Sequence, residues 1–181
     1  MANHPPSHYL DIGQLGEDLV TQWLQSTGWL ILHRRFSCRW GEIDIIAQYQ
    51  EVQGGEEGQG RQGGEGGQGE QEGQHSALIT QYSTLAFVEV KTRSSGNWDA
   101  GGRDAITPQK QAKLWRTAEM FLAQYPDKAD YPCRFDVAIV GYQQISKLQT
   151  QITSAQDALF SASIGDNKFF LEEYIPAAFD L

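Results

Sequence analysis

Apolar residues recur at helical spacing in two stretches of the chain, and several other stretches have the apolar runs or alternation of β-strands. The first helical stretch covers residues 13–27, where Leu15, Leu19 and Trp23 recur every fourth residue, and Gly28 follows its end. This pattern predicts an amphipathic helix with one face packed against a core.

A second helix is predicted to begin at Thr107, whose hydroxyl can cap the helix and which precedes a proline at the first helical position. The pattern continues to about residue 125, and Pro126 ends the helix. Strands are predicted at residues 29–36, 42–48, 84–93 and 134–141, with a last edge strand at 168–175. The order of helix, three strands, helix and strand predicts an α/β fold with a mixed sheet flanked by helices.

Residues 49–76 consist largely of Gly, Gln and Glu and hold ten of the chain's 19 glycines. Such a segment cannot bury enough apolar area to offset its ordering entropy, so we predict a disordered insert. The predicted organisation is therefore a tail at residues 1–12, a domain at 13–141 that the insert interrupts, and a C-terminal extension at 142–181.

The net charge of −9 argues against a nucleic-acid partner until its distribution is considered. The insert carries six acids and one base, a net of −5, which leaves −4 for the rest of the chain. Residues 29–48 and 84–116 together hold nine Lys and Arg against five Asp and Glu. This local positive excess predicts a basic surface that phosphates can contact.

Composition also bears on location and on zinc binding. No run of about 18 apolar residues is present, so no membrane span is predicted. The N-terminus has no basic segment followed by an apolar stretch, so we predict no secretory signal and expect a cytoplasmic protein. Cys38 and Cys133 fit no zinc-ligand spacing, which predicts two reduced thiols.

Two acids and a lysine lie inside the apolar strands. Asp44 is in the segment GEIDII, with Ile43 and Ile45 expected on the opposite face, and Glu89 and Lys91 are in FVEVK. Because side chains alternate along a strand, Glu89 and Lys91 share a face, and a hairpin register brings Asp44 close to Glu89. Two facing carboxylates in a partly buried site require a positive partner, which is either the lysine or a hard divalent cation.

The spacing alone leaves two interpretations open. Charges at alternate strand positions also occur on the solvated face of an antiparallel sheet, and a lone E-x-K pattern is more typical of such a face. An aspartate inside a second apolar strand, at a compatible register, makes a metal site an equal alternative.

A wider set of motifs adds to these residues. The set comprises GED at 16–18, then GWLIL, RWGEID, FVEVKTR, AITPQKQ and RFDV. GEIDIIA followed by FVEVKTR matches the D…(D/E)-x-K signature of the PD-(D/E)-x-K nuclease superfamily. The whole set resembles the YraN-type family of bacterial proteins, which is related to Holliday junction resolvases, and covers about residues 13–141 apart from the insert.

The resemblance implies a restriction-endonuclease-like core of order α-β-β-β-α-β. It implies that Asp44, Glu89 and the backbone carbonyl of Val90 bind Mg²⁺ or Mn²⁺. Lys91 would be the catalytic lysine, and Glu17 on the first helix would reach the same site. The insert departs from the family's short connection between the second and third strands, and the C-terminal extension has no family pattern.

Four basic residues are candidates for binding nucleic acid: Arg35, Arg93, Lys110 and Lys113. Arg93 can bind a phosphate through two N–H groups or form an ion pair with an acid. Lys110 and Lys113 belong to a helix face that either holds backbone phosphates or is simply solvated. Glu17 is equally explained as a glutamate near a helix N-terminus.

These observations together predict a Mg²⁺- or Mn²⁺-dependent endonuclease that hydrolyses phosphodiester bonds in DNA. The resemblance to resolvases adds branched or repair intermediates as substrates and a homodimer as the assembly. The alternative is a module that binds nucleic acid or another protein through the same fold and does not cleave.

Overall fold

The computed structural model of the chain describes residues 12–52, 81–94, 106–145 and 158–179. The elements follow the order α1 (Ile12–Ser26), β1 (Leu30–Cys38), β2 (Gly41–Val52), β3 (Gln81–Ser94), α2 (Pro108–Gln124), β4 (Cys133–Gln144), β5 (Phe160–Ile164) and β6 (Asn167–Phe179). A short 3-10 helix, Pro126–Lys128, lies between α2 and β4. This order confirms the predicted α/β fold and its α-β-β-β-α-β core.

The six strands form one mixed sheet of order β1-β2-β3-β4-β6-β5. Strands β3 and β4 are parallel, whereas the other neighbouring pairs are antiparallel. A parallel pair needs a crossover connection, and α2 lies between β3 and β4 in the chain for this reason. The parallel pair occupies the middle of the sheet and carries the predicted acid and lysine of β3.

The two helices cover opposite faces of the sheet, each with its own hydrophobic cluster. On one face, Leu114 and Phe121 of α2 pack with Phe87 of β3. On the other face, Leu19 of α1 packs with Val88 of the same strand. Adjacent residues of β3 therefore enter different clusters, as the alternation of strand side chains requires.

Helix α2 begins as the sequence predicts. Thr107 has an extended conformation and its Oγ1 accepts a hydrogen bond from the N–H of Lys110 at 3.3 Å, while Pro108 occupies the first helical position. Of the helices within the described residues, none combines the length and the apolar character that crossing a membrane requires.

The predicted edge strand at 168–175 is wrong in its place in the sheet, because β6 lies between β4 and β5. Residues 160–164, for which the sequence pattern predicts no strand, form β5 and pair with β6, for example through Ala162↔Phe169. The edge strand at this end of the sheet is therefore β5, and β1 forms the other edge. The C-terminal segment completes the sheet of the domain and is not an extension outside it.

The predicted start of the insert at residue 49 is too early. Strand β2 continues to Val52, because residues 49–52 pair with β3, as in Tyr49↔Thr84. The rest of the predicted insert, residues 53–76, lies outside the described residues, as do residues 1–11 of the predicted tail. Helix α1 begins one residue earlier than predicted, at Ile12.

Candidate active site

The acid predicted in β2 lies where β2 and β3 separate. Pairing of the two strands ends at Ile45↔Val88, so Asp44 is one residue beyond the last pair. At this point the N–H of Val90 donates a hydrogen bond to Asp44 Oδ2 over 2.7 Å. The carboxylate thus takes the acceptor role that a strand carbonyl has elsewhere along an antiparallel ladder.

The alternation predicted for this part of β2 is wrong. Ile43 packs in the α2 cluster and Ile45 in the α1 cluster, whereas strict alternation places both on one face. Ile45 is paired with both neighbouring strands, but Ile43 is paired with β1 alone, so β2 is free to twist away from β3 between them. Asp44 is the residue at which this change occurs.

The side chain of Glu89 lies on the α2 face of the sheet and is only 5% exposed. Its Oε1 is 2.8 Å from Lys91 Nζ and 3.1 Å from Lys110 Nζ. Its other oxygen, Oε2, is buried and has no hydrogen-bond partner among the described residues. A buried acceptor without a partner costs free energy, which makes this oxygen a candidate ligand for a cation.

Asp44 and Glu89 are close enough for their charges to interact. Burial, and after it the negative charge of Glu89, raise the pKa of Asp44 to about 7. The hydrogen bond from Val90 N–H and the charge of Lys110 act in the opposite direction. A cation bound beside Asp44 would therefore favour its ionised form.

The carboxylate oxygens of Asp44 and Glu89, where β2 and β3 separate, are suitable ligands for a hard divalent cation. Within the described residues, Asp44 Oδ1 receives no hydrogen bond and Glu89 Oε2 is unpartnered, so each carboxylate keeps one oxygen for a ligand. No three His, Cys, Asp or Glu side chains of the described ranges converge as metal ligands. Mg²⁺ is commonly held by one or two carboxylates together with waters and substrate phosphates, so two suffice. The carbonyl of Val90 stays a predicted ligand.

The two lysines lie on the open side of this site. The side chains of Lys91 and Lys110 are 37% and 36% exposed, although both ammonium groups contact the buried Glu89. Lys91 comes from β3 and Lys110 from the first turn of α2, where the Thr107 cap fixes the helix start. The lysines are therefore accessible to a ligand that approaches the carboxylates from solvent.

Glu17 and Arg35, predicted for different roles, bind each other. Glu17 lies in α1 and is buried, and both of its oxygens accept hydrogen bonds from Arg35, from Nε at 2.8 Å and from Nη2 at 2.9 Å. Arg34 Nη2 is 3.8 Å from the same carboxylate. The charge of Glu17 is also one of the causes that raise the pKa of Asp44. Glu17 thus lies near the site, and a phosphate at Arg35 would compete with its carboxylate.

The other two predicted basic residues lie apart from the carboxylates. Arg93 of β3 has its Nε 4.0 Å from Glu172 of β6. Lys113 of α2 lines a cavity with Arg39, Trp40 and Arg116, none of which is among the predicted site residues. In the sequence, two features indicate this cavity: the Arg-Trp pair directly before GEID, and polar residues that recur at helical spacing on α2.

Because the pKa of Asp44 is raised, we predict that the free energy of unfolding depends on pH through this residue. Between about pH 4 and pH 7 the folded protein retains a proton that the unfolded chain releases, so this residue lowers stability as pH rises through that window. Asparagine cannot ionise but can still accept from Val90 N–H. We expect Asp44→Asn to stabilise the metal-free protein by about 1–3 kcal/mol at about pH 8, and by almost nothing at about pH 4.

The measurement is urea unfolding in excess EDTA at several pH values across this window. Glu42→Gln is the matched control, since Glu42 is an exposed acid two residues away in the same strand. The control is expected to show no comparable dependence on pH. A gain in Asp44→Asn that is the same at every pH would contradict the raised pKa.

Comparisons of the sequence with known proteins identify the family of this chain. Residues 16–140 match the model of the uncharacterised protein family UPF0102. A UPF0102 protein of Trichormus variabilis is 56% identical over 172 residues, which is 95% of this chain and 96% of the relative. A Nostoc relative is 58% identical over 172 residues, with the same shares covered, and one of Acaryochloris marina is 40% identical over 183 residues, with 97% and 93% covered. The match confirms the YraN-type resemblance, and the chain belongs to the UPF0102 family.

Proposed function

We propose that this protein is a divalent-metal-dependent endonuclease that hydrolyses phosphodiester bonds in DNA. The observation that carries the proposal is the pair of Asp44 and Glu89 at the separation of β2 and β3. Each carboxylate keeps one oxygen for a ligand among the described residues, and two lysines lie beside Glu89. Carboxylates that hold a metal ion next to an accessible lysine are suited to hydrolysis of phosphate esters.

The roles of the protein groups follow from their contacts. A divalent cation held by Asp44 and Glu89 would polarise a phosphoryl oxygen and lower the pKa of a bound water. Lys91, with its ammonium 2.8 Å from Glu89, would orient the attacking water or neutralise charge that develops on the phosphate. Lys110, 3.1 Å from the same oxygen, would exchange this carboxylate for a phosphate oxygen when DNA binds.

Several basic residues near the carboxylates support a nucleic-acid substrate. The first turn of α2 brings Lys110 to the carboxylates, and Lys113 follows one turn later on the same helix. Arg93 lies two residues beyond Lys91 on β3 and offers a further contact for the DNA backbone. The resemblance to resolvases supports branched or repair intermediates over regular duplex.

The proposal is tested by cleavage of branched, single-stranded and duplex DNA with Mg²⁺ or Mn²⁺. We expect cleavage by the wild type, complete loss in EDTA, and a loss of at least about 10²-fold in Asp44→Ala. Glu42→Ala, which removes an exposed acid from the same strand, is expected to retain activity.

Two outcomes would overturn the proposal. Equal cleavage by the wild type and Asp44→Ala would place the activity at another site or in a contaminant. DNA binding without cleavage under either metal would favour the alternative of a non-cleaving nucleic-acid-binding module.

A further inference from the structure

A basic cavity lies between the β1–β2 turn and the exposed side of α2. Its volume is about 390 Å³. The residues that line it are Arg39, Trp40, Gln109, Ala112, Lys113 and Arg116. Three of these six residues are cations, and the only aromatic residue among them is a tryptophan that is 36% exposed. An exposed aromatic ring among cations is the composition that single-stranded nucleic acids contact.

The cations of this cavity are not neutralised by described carboxylates. Within the described residues, Arg39, Lys113 and Arg116 form no ion pair. The two guanidinium groups lie against Trp40 instead, that of Arg39 4.8 Å and that of Arg116 4.5 Å from the ring centroid. Among the described residues, both arginines therefore have no carboxylate to displace before they bind phosphate.

The position of Trp40 is fixed from both sides of the turn. Its backbone N–H donates to Cys38 Sγ at 3.4 Å, and this thiol in turn donates to Thr117 Oγ1 on α2 at 3.7 Å. Gly41, the next residue, lies beside the helix, because a Cβ added there would be in ordinary contact with Lys113 Cβ at 3.6 Å. The turn is thus packed onto α2, and the ring is held at the surface by its own backbone.

We propose that this cavity binds an unpaired nucleotide of the DNA substrate, with the base stacked on Trp40 and the flanking phosphates on Arg39, Lys113 and Arg116. This inference rests on the proposed nuclease function and adds that the cavity recognises an unpaired nucleotide in the substrate. A stacked base interacts more strongly with an aromatic ring than an exposed cation does, so the base displaces a guanidinium, which then binds phosphate.

The cavity is connected to the carboxylates through α2. Lys110 contacts Glu89, and Lys113 lines the cavity about one helical turn further along, roughly 5 Å of rise. A strand that leaves the carboxylate site along this helix therefore reaches the cavity within a few nucleotides. Branched or flapped DNA, which presents unpaired bases next to duplex, has the required form.

The test is a binding measurement in excess EDTA, where cleavage does not occur. The probes are a fluorescent single strand of about 12 nucleotides, the same strand with 2-aminopurine, and the matching duplex. We expect Trp40→Ala to bind the single strand about 5- to 50-fold more weakly and the duplex almost unchanged. Trp40→Phe should retain most of the affinity and the quenching of 2-aminopurine, and Arg116→Met should reduce the salt dependence by about one phosphate contact.

Tyr49→Ala is the matched control, since Tyr49 is a comparably exposed aromatic residue, at 38%, in a strand that the cavity does not include. Single-strand affinity that is equal in Trp40→Ala and the wild type would overturn the inference, whatever the cleavage assay shows. Loss of affinity in Trp40→Ala, with no cleavage by the wild type, would support the cavity and refute the nuclease.

Discussion

Replacing Lys91 by methionine is expected to lower the rate of metal-dependent DNA cleavage by about 10²- to 10³-fold, or about 3–4 kcal/mol of transition-state stabilisation. Methionine retains the length of the side chain and removes the ammonium that lies 2.8 Å from Glu89 Oε1. Glu89 loses one of its two cationic partners, so Mn²⁺ affinity should be equal to or higher than that of the wild type. This combination distinguishes a catalytic lysine from one that only holds the carboxylate in place.

The rate is measured in single turnover with saturating enzyme, and Mn²⁺ binding by calorimetry on the same preparations. Lys128→Met is the matched control, because Lys128 contacts Gln48, which pairs with Leu85 six residues from Lys91 along β3. Six strand residues separate Leu85 from Lys91 by about 20 Å. The Lys128→Met protein should therefore cleave at the wild-type rate. A Lys91→Met protein that cleaves at the wild-type rate would remove this lysine from the mechanism.

Replacing Asp136 by alanine is expected to destabilise the protein by about 3–5 kcal/mol. This aspartate is fully buried in β4. It accepts hydrogen bonds from Tyr174 Oη at 2.6 Å, from Ala177 N–H at 2.9 Å and from Arg134 Nε at 3.1 Å. Its loss removes the acceptor of two partly buried donors of β6, the Tyr174 hydroxyl and the N–H of Ala177, whose φ is 47°.

Urea unfolding measures this effect, with Tyr174→Phe as the comparison. Tyr174→Phe removes one donor and leaves the carboxylate two others, so we expect it to cost about 1 kcal/mol. Cleavage per folded molecule should be unchanged in both variants. A loss of less than about 1 kcal/mol in Asp136→Ala would show that this network does not hold β6 to β4.

The elements that local patterns specify agree with the sequence analysis. Thr107 and Pro108 define the start of α2 through a cap and a fixed φ, both of which depend on residues adjacent in the chain. Glu89 and Lys91 are two residues apart in one strand, so their common face follows from alternation alone. The approach of Asp44 to Glu89 follows from the hairpin register of β2 and β3, whereas the common face predicted for Ile43 and Ile45 is wrong.

The features that the sequence did not specify depend on residues far apart in the chain. Glu17 and Arg35 are separated by 18 positions and by the end of a helix, and nothing local indicates that they bind each other. The same holds for Trp40 and Arg116, which meet only because the β1–β2 turn packs on α2. The alternation of apolar residues does not predict the twist between Ile43 and Ile45, because the twist arises where β2 stops pairing with β3.

The central claim is that Asp44 and Glu89 together hold a divalent cation, and crystals soaked in Mn²⁺ test it most directly. We predict an anomalous difference peak about 2.1 Å from one oxygen of each carboxylate, with the peak lost in Glu89→Gln. No peak between these two side chains at saturating Mn²⁺, or a peak that persists in Asp44→Asn/Glu89→Gln, would contradict the account.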